Sequence, residues 1–132
     1  MKSGPVLLFL FASVPLSAFA SSPLFDTRLD YWVGNSPTSG CAADFNGDGF
    51  TDLAISTFGP VNVSVLLNDG TGHYLPAEHI GVLARGEALC SGDFNGDSKP
   101  DLAVVNSDSN NLVVFMGNGN GGFASGTSYT VG

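Results

Sequence analysis

Asp44-Phe45-Asn46-Gly47-Asp48-Gly49-Phe50-Thr51-Asp52-Leu53-Ala54-Ile55 returns 49 residues later as Asp93-Phe94-Asn95-Gly96-Asp97-Ser98-Lys99-Pro100-Asp101-Leu102-Ala103-Val104. Each copy is an acidic, glycine-wound loop that runs into an apolar strand. Oxygen-bearing side chains fall at loop positions 1, 3, 5 and 9: Asp44, Asn46, Asp48 and Asp52 in the first copy, Asp93, Asn95, Asp97 and Asp101 in the second. Alternate side chains of a tight loop point at one centre, and the backbone carbonyl at position 7, of Phe50 or Lys99, joins them. About five or six oxygens around one point suit a hard cation such as Ca²⁺ better than Zn²⁺. The three carboxylates of each loop repel one another without a cation among them. Gly47, Gly49 and Gly96 permit the sharp turn, whereas Ser98 stands where the second loop would carry its second glycine.

The loop is not an EF-hand. That motif needs a bidentate glutamate at its twelfth position, where this chain has Ile55 or Val104 inside a strand. Helical flanks are absent too, which also disfavours a dockerin-type loop. A plainer alternative stays open, in which the Asp and Asn side chains cap backbone amides of an Asx-rich turn and hold no metal.

The repetition reaches beyond the loop. Cys41 matches Cys90, Val65 matches Val114, Gly70 and Gly72 match Gly119 and Gly121, and Tyr74 matches Phe123. A partial third copy lies upstream: Phe25, Tyr31, Val33 and Gly34 recur as Phe123, Tyr129, Val131 and Gly132, twice the same period away. A fixed period of this length signals a repeat architecture. Strands are expected at 52–57, 62–67, 74–82 and 87–91, then at 101–106, 111–116 and 123–131. Asp69-Gly70 marks a tight turn between the second and third of these, because glycine takes positive φ at no steric cost. Four short strands in each repeat are the content of one propeller blade. The expected fold class is all-β, with four-stranded antiparallel β-propeller blades and an incomplete propeller of about two. The expected division is a partial blade over 23–40, a blade over 41–89 and a blade over 90–132.

Asp-Phe-Asn-Gly-Asp-Gly-x-x-Asp-Leu-Ala, followed by Val63-Ser64-Val65-Leu66-Leu67-Asn68-Asp69-Gly70-Thr71-Gly72 and an aromatic residue, resembles the FG-GAP/VCBS repeat family, whose loops are related to those of integrin-α propellers. The resemblance covers nearly all of residues 23–132. It implies a β-propeller whose Asp-rich loops join the first two strands of each blade and bind Ca²⁺, through Asp44, Asn46, Asp48, Phe50 and Asp52, and through Asp93, Asn95, Asp97, Lys99 and Asp101. The chain departs from the pattern at Ser98 and in carrying too few blades. Family members serve adhesion, ligand binding, or as accessory parts of secreted enzymes. The expected partner is an extracellular protein or carbohydrate ligand, further blades, or another copy of the chain.

Composition narrows the function classes. Residues 1–20 read as a secretory signal peptide: Lys2 opens it, Val6 to Ala12 are apolar, and Ala18-Phe19-Ala20 is a small-x-small cleavage site. Pro5 to Ala20 is short of the roughly 20 residues a membrane span needs, and no other segment of the chain is apolar enough to cross. The mature chain, 21–132, is expected to be extracellular, periplasmic or at the cell surface. It keeps three basic residues (Arg28, Arg85 and Lys99) against twelve acids, a net charge of −9, which excludes nucleic acid as a partner. Six of the twelve acids lie in the two loops, so the charge is concentrated at two sites. Secretion and an even cysteine count favour a Cys41–Cys90 disulfide; two small buried thiols are the other reading. His73 and His79 have no metal-spaced companions, and Trp32 is read as strand packing. Asn62-Val63-Ser64 is a glycosylation sequon. No nucleophile–base set is evident, so the chain is expected not to be an enzyme. The expected function is a non-catalytic calcium-binding or adhesion module, the alternative being an accessory part of a larger secreted enzyme. By the same period a third loop falls at residue 142, past Gly132. A gene fragment or a self-associating partial propeller is therefore expected.

Overall fold

The protein is described by a computed structural model over residues 28–59, 63–81 and 86–131. The signal peptide, Asn62 of the sequon, Val82 and Arg85 lie outside the described residues. Within them the chain forms eight strands: β1 (Pro37–Ala43), β2 (Asp52–Thr57), β3 (Val63–Leu66), β4 (Glu78–Ile80), β5 (Ala88–Gly92), β6 (Asp101–Asn106), β7 (Asn111–Phe115) and β8 (Thr127–Thr130). They make two antiparallel four-stranded sheets, in the orders β1-β2-β3-β4 and β5-β6-β7-β8. The sheets are two propeller blades and do not close a ring. There is no helix among the described residues. The acidic loops join β1 to β2 and β5 to β6, the place the repeat pattern gives them.

The pleat explains how the sheets stack. Successive side chains of a strand point to opposite faces. Ala54, Val63 and Val65 of the first sheet enter the shared core together with Leu102, Val104, Val113 and Phe115 of the second. By the repeat, Leu102 and Val104 correspond to Leu53 and Ile55, neighbours of Ala54 on the other face of β2. The second sheet thus offers the first its opposite face, and both sheets look the same way, as consecutive blades do. Phe45, from the first loop, and Leu89, from β5, complete this core. Three hydrogen bonds sew the seam: the Thr38 hydroxyl donates to the Gly86 carbonyl (2.6 Å), the Leu89 amide to the Ser39 hydroxyl (3.3 Å), and the Gly121 amide to the Phe45 carbonyl (2.9 Å).

The outer strands are shorter than the sequence pattern implies. Of the expected strand 74–82, the described part, 74–81, gives β4 and an isolated bridge between Asn68 and Tyr74. Pro76 has no N–H for the ladder. Residues 123–131 give a bridge between Gly117 and Phe123, and then β8. Between them Gly126 lies so close to Val113 and Phe115 that a β-carbon would stand 2.5–2.9 Å from their side chains. Residues 28–33, part of the partial blade expected over 23–40, form no strand. Among the described residues no strand edge pairs with them, and they lean on the first sheet. The Tyr74 amide donates to the Tyr31 hydroxyl (3.0 Å), their rings meet edge to face at 5.5 Å, and the Ser64 hydroxyl donates to the Val33 carbonyl (2.8 Å).

Candidate metal centre

Both loops are wound by their own side chains. One oxygen of Asp44 accepts from the amides of Gly47 (2.7 Å) and Asp48 (3.2 Å), and the other from Gly49 (2.8 Å). The Asn46 side-chain oxygen accepts from the Asp48 amide (3.0 Å), and Asp48 accepts from the Phe50 amide (2.8 Å). The second loop repeats the pattern. Asp93 accepts from Gly96 (2.7 Å), Asp97 (3.1 Å) and Ser98 (2.8 Å), Asn95 from Asp97 (2.8 Å), and Asp97 from Lys99 (3.0 Å). Ser98 takes φ 67°, against 86° at Gly49. The loop keeps its shape without the glycine, at a steric cost of about 1–2 kcal/mol.

The loops differ in what faces their fifth position. In the first, the Asn46 amide group donates to Asp48 (2.8 Å). In the second, the Asn95 amide group turns to the Met116 sulfur (3.7 Å), and the Lys99 ammonium stands 3.9 Å from Asp97. Phe50 is exposed, its ring lying against Gly70.

Asp52 and Asp101 hold a different place from the other six. Both are fully buried. Asp52 accepts from the Phe45 amide with one oxygen and from the Asn68 amide with the other, both at 2.8 Å. Asp101 does the same with Phe94 (2.9 Å) and Gly117 (2.8 Å). Each ties its loop to the turn that follows the third strand of the blade. The sequence carries no separate sign of this clamp, because its acceptors have the same spacing as ligands.

In kind, these groups fit a hard cation: each loop presents carboxylate and amide oxygens on an exposed turn, and the oxygens of Asp44 and Asp93 that take a single N–H, from Gly49 and Ser98, retain a lone pair. In number, positions 1, 3 and 5 fall short of the six to eight oxygens Ca²⁺ takes. The rest must come from Asp52 or Asp101, the Phe50 or Lys99 carbonyl, and water. Among the described residues no three His, Cys, Asp or Glu side chains gather as a metal-holding group.

The amide bonds set the charge of the loops. The Gly49 amide first, then those of Gly47, Asp48 and Asn46, hold Asp44 below the ordinary carboxylate range, against an opposing push from burial that only the Gly49 bond exceeds singly. The Ser98 amide leads the same effect on Asp93. Asp69, in the turn after β3, is lowered first by the Thr71 hydroxyl and then by the Thr71 amide. A carboxyl lowered in the folded state contributes stability that is present above its unfolded pKa and is lost as pH falls through the folded value. Carboxyl carbon NMR titration is expected to place the midpoints of Asp44, Asp69 and Asp93 below the usual 3.9 or so. Midpoints at or above that value would show that the amides do not hold these carboxylates.

The other candidate residues stand apart from the loops. Cys41 and Cys90 are free thiols, the first half-buried and the second exposed. Burial pushes the Cys41 thiol up, a hydrogen bond with Ser91 opposes that, and the nearby Cys90 adds to the rise. His73 meets the Thr71 hydroxyl (3.0 Å). His79 meets the Ser64 hydroxyl (2.9 Å) and the edge of Trp32 (ring centroids 5.4 Å). Trp32 is exposed. The turns beyond the third strands fall where the sequence places a tight turn at Asp69-Gly70, and the structure adds that Asx side chains cap them. Asp69 gathers Thr71 and His73, and Asn118 gathers Asn120 and Gly122; the Asx residue just ahead of a glycine is the signal that marks them.

Comparison with known families finds two matches. A model described as an FG-GAP-like repeat matches residues 44–104, and one described as an FG-GAP repeat matches residues 85–128. No curated protein and no solved structure gives a match.

Proposed function

The chain belongs to the FG-GAP repeat family, an integrin-like β-propeller module, and from that footing we propose that it is a secreted, non-catalytic binding module whose two Asp-rich loops take up Ca²⁺. The observation that carries this reading is the doubled loop. Asp44, Asn46 and Asp48, and again Asp93, Asn95 and Asp97, are wound by the same amide bonds into the same exposed turn. A preformed turn spares the cation the entropy of gathering its ligands. Calcium then organises the loops and does no chemistry. The leader-like residues 1–20 support export, and the ligand of the module is an extracellular protein or carbohydrate.

One observation favours a second reading. Every oxygen of Asp44 and Asp93 already accepts at least one amide N–H, so the loops have a way to hold their shape without metal.

Calcium titration by calorimetry separates the two. Extracellular modules bind Ca²⁺ at roughly 10⁻⁴–10⁻³ M, and a tenfold excess over Kd stabilises by about 1.4 kcal/mol per site. Two events are expected, the weaker at the second loop, where the Lys99 ammonium faces Asp97. Asp48→Ala removes the first event and leaves the second; Lys99→Ala strengthens the second. An absence of heat, with a melting curve unmoved by chelator, assigns the loops to amide capping alone.

A further inference from the structure

We propose that the cleft between the two sheets binds a neutral sugar ring, which names the ligand class of the binding module proposed above and rests on that reading. The cleft has a volume of about 520 Å³, within the range of small-molecule sites. On one side stand Ile80 and Gly81, at the end of β4, and on the other β7, β8 and the turn at Phe123. Val113 and Phe115 line it and also enter the shared core, so it opens from the face of the second sheet that meets the first.

The repeat shows why this space is open. One period earlier, the counterpart surface of the first sheet is covered. Tyr31 packs on Tyr74, Trp32 packs on His79, and the Val33 carbonyl accepts from Ser64. In the second sheet the counterparts of Tyr74, His79 and Ser64 are Phe123, Ser128 and Val113, and all three line the cleft. The residues at the places of Tyr31 and Trp32 are Ile80 and Gly81. Two rings are thus exchanged for one aliphatic side chain and none. A β-carbon on Gly81 would meet nothing within 4 Å. The cleft has the room that rings fill in the first sheet.

The lining is of two kinds. Val113, Phe115 and Phe123 are apolar, and Asn106, Asn111 and Ser128 form a polar row. The Asn106 amide group donates to the Asn111 side-chain oxygen (3.0 Å), and the Asn111 amide group donates to the Ser128 hydroxyl (2.9 Å). The row is incomplete at its buried end: Asn106 is 1 % exposed, and its side-chain oxygen has no partner among the described residues. A buried acceptor in that state is rare and calls for a donor. At the other end the Ser128 hydroxyl accepts from Asn111 and keeps its own proton to donate. A hydroxyl both donates and accepts, so a ligand with adjacent hydroxyls complements the row. No Asp, Glu, Lys or Arg is among the described residues that line the cleft, so a charged ligand finds no counterpart there. A pyranose meets these conditions. Its C–H face suits the Phe123 ring, whose face carries partial negative charge; its hydroxyl rim suits the asparagine row; and it is uncharged.

Amide NMR titration of the chain in calcium tests the proposal, with methyl glucoside, methyl galactoside and methyl mannoside as probes, each with and without a 2-acetamido group. At least one is expected to shift the signals of Asn106, Asn111 and Phe123 at millimolar concentration. Asn106→Ala is expected to weaken that sugar by about tenfold. Gly81→Trp, at an exposed position open to a side chain, puts back the ring of the first sheet. It is expected to abolish the shifts and leave strand circular dichroism unchanged. If none of these sugars shifts the spectrum, the cleft holds water only and the proposal is overturned; the calcium titration, read separately, still decides the loops. Shifts that map away from the cleft overturn it too, as does a Gly81→Trp chain that binds as the wild type does. A folded Asn106→Ala chain with undiminished affinity removes the asparagine row from the site and overturns the assignment. Should Asn106→Ala unfold, the Gly81→Trp result decides.

Discussion

Asp52→Ala is expected to cost about 2–4 kcal/mol, read as a shift in the urea midpoint at unchanged slope. The carboxylate is fully buried and serves two backbone amides, Phe45 and Asn68, at 2.8 Å each. Alanine leaves both amides without an acceptor. A buried amide left unpaired costs about 1–3 kcal/mol, and the Asn68 amide recovers part of this because it is only partly buried. Whole-domain stabilities are about 5–15 kcal/mol, so this single change removes a large share. Asp52→Asn is expected to fall between, since one oxygen still accepts. Asp48→Ala, on the exposed part of the same loop, is expected to cost less than about 1 kcal/mol in chelator. If Asp52→Ala unfolded with the wild type, the carboxylate would not be a clamp, and its place among the cation ligands would be its main role.

Phe45→Ala and Phe94→Ala are expected to part company by several kcal/mol although they change the same residue at the same point of the same loop. Phe45 is buried against Phe123 (ring centroids 5.5 Å) in the core that joins the sheets. Its removal opens a cavity and is expected to cost about 3–5 kcal/mol. Phe94 has no sheet beside it, and its removal from the monomer is expected to stay within about 0.5 kcal/mol. Denaturant melts at low protein concentration compare the two. Equal losses would mean that the loops are structured independently of the seam.

The repeat explains how much of the fold was readable. An unbroken period of 49 residues carries strand, loop and turn in register, and Leu53-Ala54-Ile55 and Leu102-Ala103-Val104 announce strands. The outer strands read too long because Pro76 and Gly126 act on the ladder and on packing, which apolar patterning does not register. Residues 28–33 share the sequence of a strand end, yet a strand is a property of two neighbours, and among the described residues that segment meets the first sheet and pairs with no strand. The difference between Phe45 and Phe94 was invisible for the same reason. In the site, the spacing of Asp44, Asn46 and Asp48 fixed one wound turn, as expected. The burial of Asp52 was not legible, because a carboxylate that receives amides and one that receives a cation occupy the same place in a string of letters.

The bond from the Gly47 amide to Asp44 (2.7 Å) and its twin from Gly96 to Asp93 (2.7 Å) also govern how the protein ages. Asn46-Gly47 and Asn95-Gly96 are the dipeptide type most prone to spontaneous deamidation. There the glycine nitrogen attacks the asparagine side-chain carbonyl, a cyclic imide forms, ammonia leaves, and hydrolysis yields aspartate or its isomer. In both loops that nitrogen is already committed to a carboxylate, and the asparagine oxygen is turned toward the next amide. Both bonds must break before the attack can proceed, so the wound turn opposes it. The native loop shelters its own asparagines, and each excursion to an unwound state starts a clock that adds a negative charge, or a kinked backbone, at the centre of the site.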